Sequence, residues 1–417
     1  MRIIYHNNQI LYNLCIIKYQ MVVSSYKLRL YPTKNQENKL NDTIEICRIL
    51  YNDFIFESHL AYKEGYKIKF DELQRMIPAM IPKDKVYSKV AQMVLWQFYN
   101  NLKTLSALIQ RGKRTGNLRF KSKSRFHSIN YNQSGFKFLP DNKIKFSKIG
   151  KIKCIIHRKI QGKIKEIHVK KELTGDWYAI VVCENELKSI CSLFRKKIVG
   201  IDVGINNFVY DSDGHVIKHP QLLRKSKKKL KRSQRKLSKK IKNSNNRWKQ
   251  KLNLARIHQK IKNQRNDFLH KTSRYYVDNY DTIFVEELKI QNMIKNHHLA
   301  KSISDSSWNS FFQKLEYKAA RAGILFKKIS PYNTSQKCSM CNNIVKKSLA
   351  QRTHNCPFCG FKIDRDHNAA RNIKQKGLDS LPLEWREVTP LERRPLTITS
   401  TRYSQVISRN EEIHHFD

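Results

Sequence analysis

Apolar and polar positions change rhythm several times along this chain, and each rhythm predicts a different element. Residues 26–31 (YKLRLY) alternate, which predicts a strand, and Pro32 ends it. Thr33 and Gln36 then form a T-x-x-Q capping box, the start signal of a helix. On that helix Leu40, Ile44, Cys47, Tyr51 and Phe54 recur at a 4-3-4-3 spacing, which makes one buried face. A second helix is predicted over 88–110, through Val90, Val94, Phe98, Leu102, Leu105 and Ile109. Residues 111–117 (RGKRTGN) read as a loop.

Between 118 and 184 the pattern becomes short alternating runs. Residues 143–146 follow Asp141-Asn142, and 177–183 follow Thr174-Gly175-Asp176; both are hairpin signals. A small basic β-barrel or sandwich is expected, with the first strand belonging to it and the helices of 34–110 inserted. A third region begins at Lys196, with an apolar strand over 198–203 (IVGIDV) followed by a hairpin through 211–214. Leu230, Leu237, Ile241, Trp248 and Leu252 keep a 7-4-7-4 spacing that predicts a helical hairpin. A second buried strand, 282–285, ends in Glu286-Glu287. A helix over 305–322 with Gly323 as its C-cap, a strand over 324–329 and a last helix over 366–374 complete the region. Residues 376–417 have few apolar anchors and are expected to be a flexible tail.

Charge changes the picture most. The 417 residues hold 82 Lys plus Arg against 34 Asp plus Glu, a net charge of +48. Self-repulsion of that size opposes compaction unless a polyanion neutralises it, so nucleic acid is the expected partner. Twelve of the 19 residues from Arg224 to Lys242 are basic, and Arg224, Lys228, Lys231, Arg232, Arg235 and Lys239 are the expected phosphate contacts. No stretch reaches the ~18 apolar residues of a membrane span. Nine cysteines, four of them in two C-x-x-C pairs, suit a reducing, cytoplasmic compartment and metal binding over disulfides.

Cys338, Cys341, Cys356 and Cys359 form a zinc-ribbon pattern, in which four thiolates on two tight turns meet one structural Zn²⁺. Asp202 sits on a buried strand, where an ionised carboxylate is costly unless paired or bound to metal. Glu286 ends a second strand, and Asp364 and Asp366 flank Arg365 at a helix start, where the dipole favours anions. Acids on the first, middle and last elements of such a region match an RNase H-like arrangement of oxygen ligands for Mg²⁺ or Mn²⁺. Asp211 and Asp213 read as turn residues, and strand alternation sends Glu287 to the side opposite Glu286. Spacing alone does not choose between Asp364 and Asp366.

The ordered set YKLRLYPTKNQ (26–36), GIDVGINNF (200–208), FVEELKIQNM (284–293) and CSMC…CPFCGFKIDRDHNAARNI (338–373) resembles the TnpB, or OrfB-type, transposon proteins. These are related to type V CRISPR effectors. The resemblance spans 22–375 and implies a mixed α/β, multidomain protein. A RuvC-like nuclease domain would take 196–333 and 361–375, with a zinc ribbon at 334–360. A β-barrel wedge domain would take 22–33 and 111–195, with a helical recognition insert at 34–110. It implies catalytic acids at Asp202, Glu286 and Asp366, the last because the family's third acid lies two residues before the Asn of its NAA motif. It also implies a guide RNA made from the transposon end and a double-stranded DNA target cut next to a short transposon-adjacent motif, the displaced single strand and then the target strand reaching the acids in turn. The expected location is the prokaryotic cytoplasm, with the nucleoid when bound to DNA. Family members open close to the YKLRLYP strand, so residues 1–21 are expected to be an extension and Met21 the start of translation. A non-cutting relative would lack one of the acids, and all three are present. A strand-joining tyrosine transposase needs two His flanking an apolar residue, whereas His297 and His298 are adjacent.

Overall fold

The computed structural model describes residues 19–188, 197–288, 290–293, 295–348 and 351–382. They form two compact units.

The first unit takes the described residues up to 188 with His219–Asn279 and Ile290–Leu325. Its N-terminal part runs β1 (Tyr19–Tyr31), α1 (Lys34–Lys63), α2 (Phe70–Met80), α3 (Ser88–Gln110), β2 (Ser128–Asn132), β3 (Phe136–Leu139), β4 (Lys143–Phe146), β5 (Gly150–Ile155), β6 (Lys163–Lys171) and β7 (Trp177–Lys188). The seven strands make one antiparallel sheet in the order β2-β6-β7-β1-β5-β4-β3. Long β1 is central, pairing with β7 from Tyr19↔Lys188 to Leu30↔Trp177, so the strand begins before Met21. Its alternation buries Ser24, Tyr26, Leu28 and Leu30 and exposes Val23, Ser25 and Lys27.

The capping box forms: Thr33 N–H donates to Gln36 Oε1 at 3.0 Å, and Gln36 N–H to Thr33 Oγ1 at 3.4 Å. All five positions of the 4-3-4-3 face are buried, in one core with Phe98, Tyr131, Phe146 and Ile152 of the sheet and its helices. Each such side chain contributes about 1.5–3 kcal/mol by leaving water. On α3 the stripe is buried only as far as Phe98; Ile109 is 57 % exposed. Helix α2 follows no signal used above.

The rest of this unit is helical: α4 (Leu222–Ser238), α5 (Asn245–Asn279), α6 (Ile290–Met293), α7 (His297–Ser306) and α8 (Trp308–Ala322). The helical hairpin exists and part of the expected stripe closes it: Leu230 is buried and Leu237 and Leu252 are half-buried, whereas Ile241 and Trp248 are 80 % and 65 % exposed. Ile241 lies in the turn, and polar groups join the helices. Gln250 Nε2 donates to the Ser233 carbonyl at 3.0 Å, and Arg247 Nη1 reaches the Leu237 and Lys240 carbonyls at 2.9 and 3.0 Å. Left-handed Ser307 (φ 54°) divides the helix expected over 305–322, and Gly323 (φ 70°) ends it as a C-cap. Among the described residues no helix is long and apolar enough to cross a membrane.

The second unit holds β8 (Ile198–Asp202), β9 (Asn207–Asp211), β10 (Val216–Lys218), β11 (Thr282–Glu286) and β12 (Leu325–Ile329). Their sheet order is β10-β9-β8-β11-β12, with β8 and β11 parallel. A two-stranded ribbon, β13 (Thr353–Asn355) and β14 (Lys362–Asp364), leads into α9 (Arg365–Asp379). The helix continues beyond 375, so residues 376–379 are helical and not tail; 383–417 lie outside the described residues.

Candidate active site, cysteine cluster and basic clefts

Parallel pairing of β8 and β11 brings the C-terminal ends of both strands, Asp202 and Glu286, to the same edge of the sheet. Helix α9 packs on this sheet through two glycines. A Cβ on Gly200 would fall 2.3 Å from the Ala370 carbonyl oxygen, and one on Gly377 would fall 2.2 Å from the Phe284 ring. Asp366, in the first turn of α9, is thereby held beside the strand ends, its Oδ2 3.9 Å from where a Gly204 Cβ would stand.

Asp202 feels the other two acids. Burial, then the charges of Glu286 and Asp366, push the Asp202 carboxyl well above its ordinary range; the Val203 N–H and Arg365 oppose this weakly. Burial likewise raises Glu286, against the Thr334 hydroxyl bonded to its Oε1 and the charge of Lys376. Asp366 is met by Arg365, whose Nε and Nη2 are each 3.4 Å from Oδ1, and at 4.0 Å by Arg352. A half-buried Asp202 and a buried Glu286, both resisting ionisation, with Asp366 beside them, are an oxygen donor set fitted to a divalent cation.

Asp364 has a different task. It is the N-cap of α9, accepting from the N–H groups of Asp366 at 2.8 Å and His367 at 3.3 Å. Asp211 is a turn residue as expected, its buried Oδ1 accepting from Asp213 and His215 N–H groups.

The cysteines converge on two matching turns. Cys338 N–H donates to the Asn343 carbonyl at 2.9 Å and Asn342 N–H to that of Cys338 at 3.0 Å; Cys356, Phe361 and Gly360 repeat this at 3.0 and 2.9 Å. Asn342 and Gly360 take the left-handed conformation each turn needs (φ 66° and 69°). Among the described residues these four form the one group of three or more His, Cys, Asp or Glu donors with every pair within 4.8 Å; the acids stand further apart. The Cys338–Cys359 and Cys341–Cys356 sulfurs are 3.8 and 3.5 Å apart. A tetrahedron with Zn–S bonds of ~2.3 Å has edges of ~3.8 Å, so the four sulfurs fit zinc.

Two buried amides tie this ribbon to α9. Asn368 Nδ2 donates to the Lys337 carbonyl at 2.7 Å while its Oδ1 accepts from Ser339 N–H at 2.9 Å. Asn372 Nδ2 reaches the Thr334 and Lys337 carbonyls at 2.8 and 2.6 Å. Sequence reasoning assigned no role to Thr334, Asn368 or Asn372. The available signal was two Asn one helical turn apart among Ala369, Ala370 and Ile373.

The basic segment forms clefts within the first unit. Lys228, Lys231, Arg232, Arg235 and Lys239 line one groove along α4, whereas Arg224 lies outside it, against Gln221 Oε1 at 3.4 Å. A larger cleft of about 990 Å³ between α4 and α5 adds Arg256 and Lys260, which the sequence reading missed.

Three family models match this chain: OrfB_IS605, described as "Probable transposase", over 194–297; "Cas12f1-like, TNB domain" over 308–373; and the OrfB_IS605 "Helix-turn-helix domain" over 21–67. A Streptomyces pristinaespiralis protein named "Putative RNA-guided DNA endonuclease" is 31 % identical over 86 % of this chain and 90 % of its own length. The chain belongs to the TnpB (OrfB) family. A second member, the similarly named InsQ of Escherichia coli strain K12, is 29 % identical over 85 % of this chain and 92 % of its own. Among solved structures, a Cas12f1–sgRNA–target DNA complex aligns at 16 % identity with a TM-score of 0.35, covering 85 % of this chain and 100 % of that one.

Proposed function

We propose that this TnpB-family chain is a transposon-associated RNA-guided DNA endonuclease whose acids Asp202, Glu286 and Asp366 hydrolyse DNA phosphodiester bonds. The observation that carries the reading is the placing of Asp202 and Glu286 at the same ends of the parallel β8–β11 pair with Asp366 of α9 beside them, where burial and the charges of the other two acids raise Asp202. The names of the full-length relatives support the guided activity.

On this reading the sheet β8–β12 with α9 is an RNase H-like, RuvC-type core, and 334–360 is its zinc ribbon. The sheet β1–β7 is the wedge, with α1–α3 as recognition insert. Asp202, Glu286 and Asp366 would hold Mg²⁺ or Mn²⁺, which when bound supplies Lewis acidity and an activated water for attack on phosphorus. The chain's own part is to align the acids and to offset, in part, the burial that opposes their ionisation. The backbone N–H of Val203 and the Thr334 hydroxyl favour the ionised forms, and the Gly200 contact sets the approach of α9. Arg365 and Arg352 beside Asp366 stand ready to meet a phosphate oxygen. The basic clefts along α4 and α5 would hold RNA and DNA by backbone charge while base pairing reads sequence.

The test is cleavage of matched DNA by the purified RNA complex in Mg²⁺. Asp202→Ala and Glu286→Ala should each abolish cutting while RNA binding stays within about threefold; cleavage retained in either variant overturns the site.

A further inference from the structure

Within the first unit, one end of the seven-stranded sheet and helices α5 and α8 enclose an open groove of about 870 Å³. Its described lining carries five cations, Arg158, Lys271, Arg274, Lys318 and Arg321, and no carboxylate. Two are answered along their own helix, Lys271 by Asp267 and Arg274 by Asp278, each at 2.8 Å. Arg158, Lys318 and Arg321 have no carboxylate at ion-pair distance among the described residues. Lys318 is instead aimed by neutral acceptors, its Nζ donating to the His270 carbonyl at 2.7 Å and Ser273 Oγ at 2.8 Å.

Neighbouring groups register this unbalanced charge. Burial first, then Lys314, Lys318 and Arg158, bring His270 down to about 4, so its ring is neutral at pH 7. Burial, with Arg274 and Lys314, brings Lys318 down to about 8. The wall is also built to hold position. Buried Tyr26 accepts from Gln161 N–H at 3.2 Å and carries the Arg158 guanidinium 4.6 Å from its ring centroid. The turn before β6 is clamped at Gly162 (φ +92°), where a Cβ would lie 1.8 Å from Asn185 Oδ1. Beside these cations stands Tyr317, 39 % exposed.

We infer that this groove binds a short single-stranded stretch of polynucleotide, its phosphates on Arg158, Lys318 and Arg321 and an unstacked base on Tyr317. Cations that outnumber the acids beside them select the phosphodiester chain. An exposed aromatic ring among them is the platform on which splayed bases stack. The volume lies at the upper end of the ~300–1,000 Å³ of small-ligand sites, which admits one to a few nucleotides. The inference rests on nucleic acid being the partner, as proposed above, and not on cleavage.

Salt dependence of binding tests it, with the full chain and a twelve-nucleotide single strand, once as RNA and once as DNA. Each phosphate contact on a single strand contributes about 0.7 to the log–log salt slope, so Arg158→Gln with Arg321→Gln should flatten it by about 1.4. The strand that shows the loss identifies the ligand as RNA or DNA. Tyr317→Ala should weaken binding without changing the slope, and Tyr317→Phe should restore it. An unchanged slope in the arginine variant, at an unchanged melting temperature, overturns the groove. Lys228→Gln with Arg232→Gln on α4 is the control. If that pair flattens the slope while the groove pair does not, the groove fails and the proposed function stands. If neither does, nucleic acid is not held by these charges and both readings fall.

Discussion

Gly200, first residue of the GIDVG segment, offers the sharpest test of how the acids are brought together. Replacing it by Ala adds one methyl group, which would lie 2.3 Å from the Ala370 carbonyl oxygen, 2.4 Å from Lys374 N and 2.9 Å from Lys374 Cα. All three are backbone atoms of α9, so no side-chain rotation relieves the clash. Ordinary contact needs at least ~3.3 Å, so the helix must retreat by about 1 Å. Asp366 is one turn from Ala370 on the same helix and must move with it, while Asp202, two residues along β8, stays. Overpacking of this kind costs about 1–3 kcal/mol of stability. A misplacement of ~1 Å at reacting groups costs about 10²-fold in rate. The assay is single-turnover cleavage of matched DNA by the RNA-loaded protein, with a melting curve beside it. Gly200→Ala should cut about a hundredfold slower and still bind its RNA. A folded variant cutting within threefold of the parent rate would refute the argument that close approach of α9 builds the site.

Other consequences follow from the same geometry. Asp202 has its carboxyl pKa raised in the fold, so its contribution to stability is fully present below the ordinary carboxylate range of ~4 and is lost as pH rises through the raised value. In EDTA, Asp202→Asn should therefore melt higher than the parent by a margin that grows from pH 4 to 8; a margin constant with pH contradicts the burial argument. Cys338→Ser should lower bound zinc from about one per chain to well below it and destabilise the ribbon, because structural zinc contributes folding energy directly. Undiminished zinc by elemental analysis would count against the four-thiolate site. On duplex DNA, Lys228→Gln with Arg232→Gln should flatten the salt slope by about 1.8, at ~0.9 per phosphate, and a parallel slope would remove α4 from the interface.

Local chemistry was legible in the chain wherever the interacting residues lie near one another. The Thr33–Gln36 box, the buried face of α1, the Gly323 cap and the cysteine turns all formed as read, because each is decided within one or two turns of backbone. Asp364 and Asp366 were inseparable by spacing and are separated by a hydrogen bond, since the cap uses the first and leaves the second to face Asp202. The α4–α5 stripe held at Leu230 and failed at Ile241 and Trp248, because counting apolar residues does not reveal where a helix stops. The turn captured Ile241, Trp248 is exposed, and amide and guanidinium contacts supplement the buried Leu230 and Ile261. Thr334 and Asn372 escaped because their partners lie 48 and 38 residues away. The break at Ser307 escaped because a left-handed serine carries no sequence mark.

The central claim is that a guide RNA directs these acids to a chosen DNA. The direct measurement is to express the chain with the DNA flanking its own gene, sequence the RNA that co-purifies, exchange the stretch beyond the transposon boundary for a new sequence, and follow cutting in Mg²⁺. The account predicts a discrete RNA and cleavage that moves to DNA matching the new stretch, absent in Asp202→Ala. Heterogeneous RNA, or cutting that ignores the exchange, would contradict it and leave the +48 charge as a general affinity for polyanions.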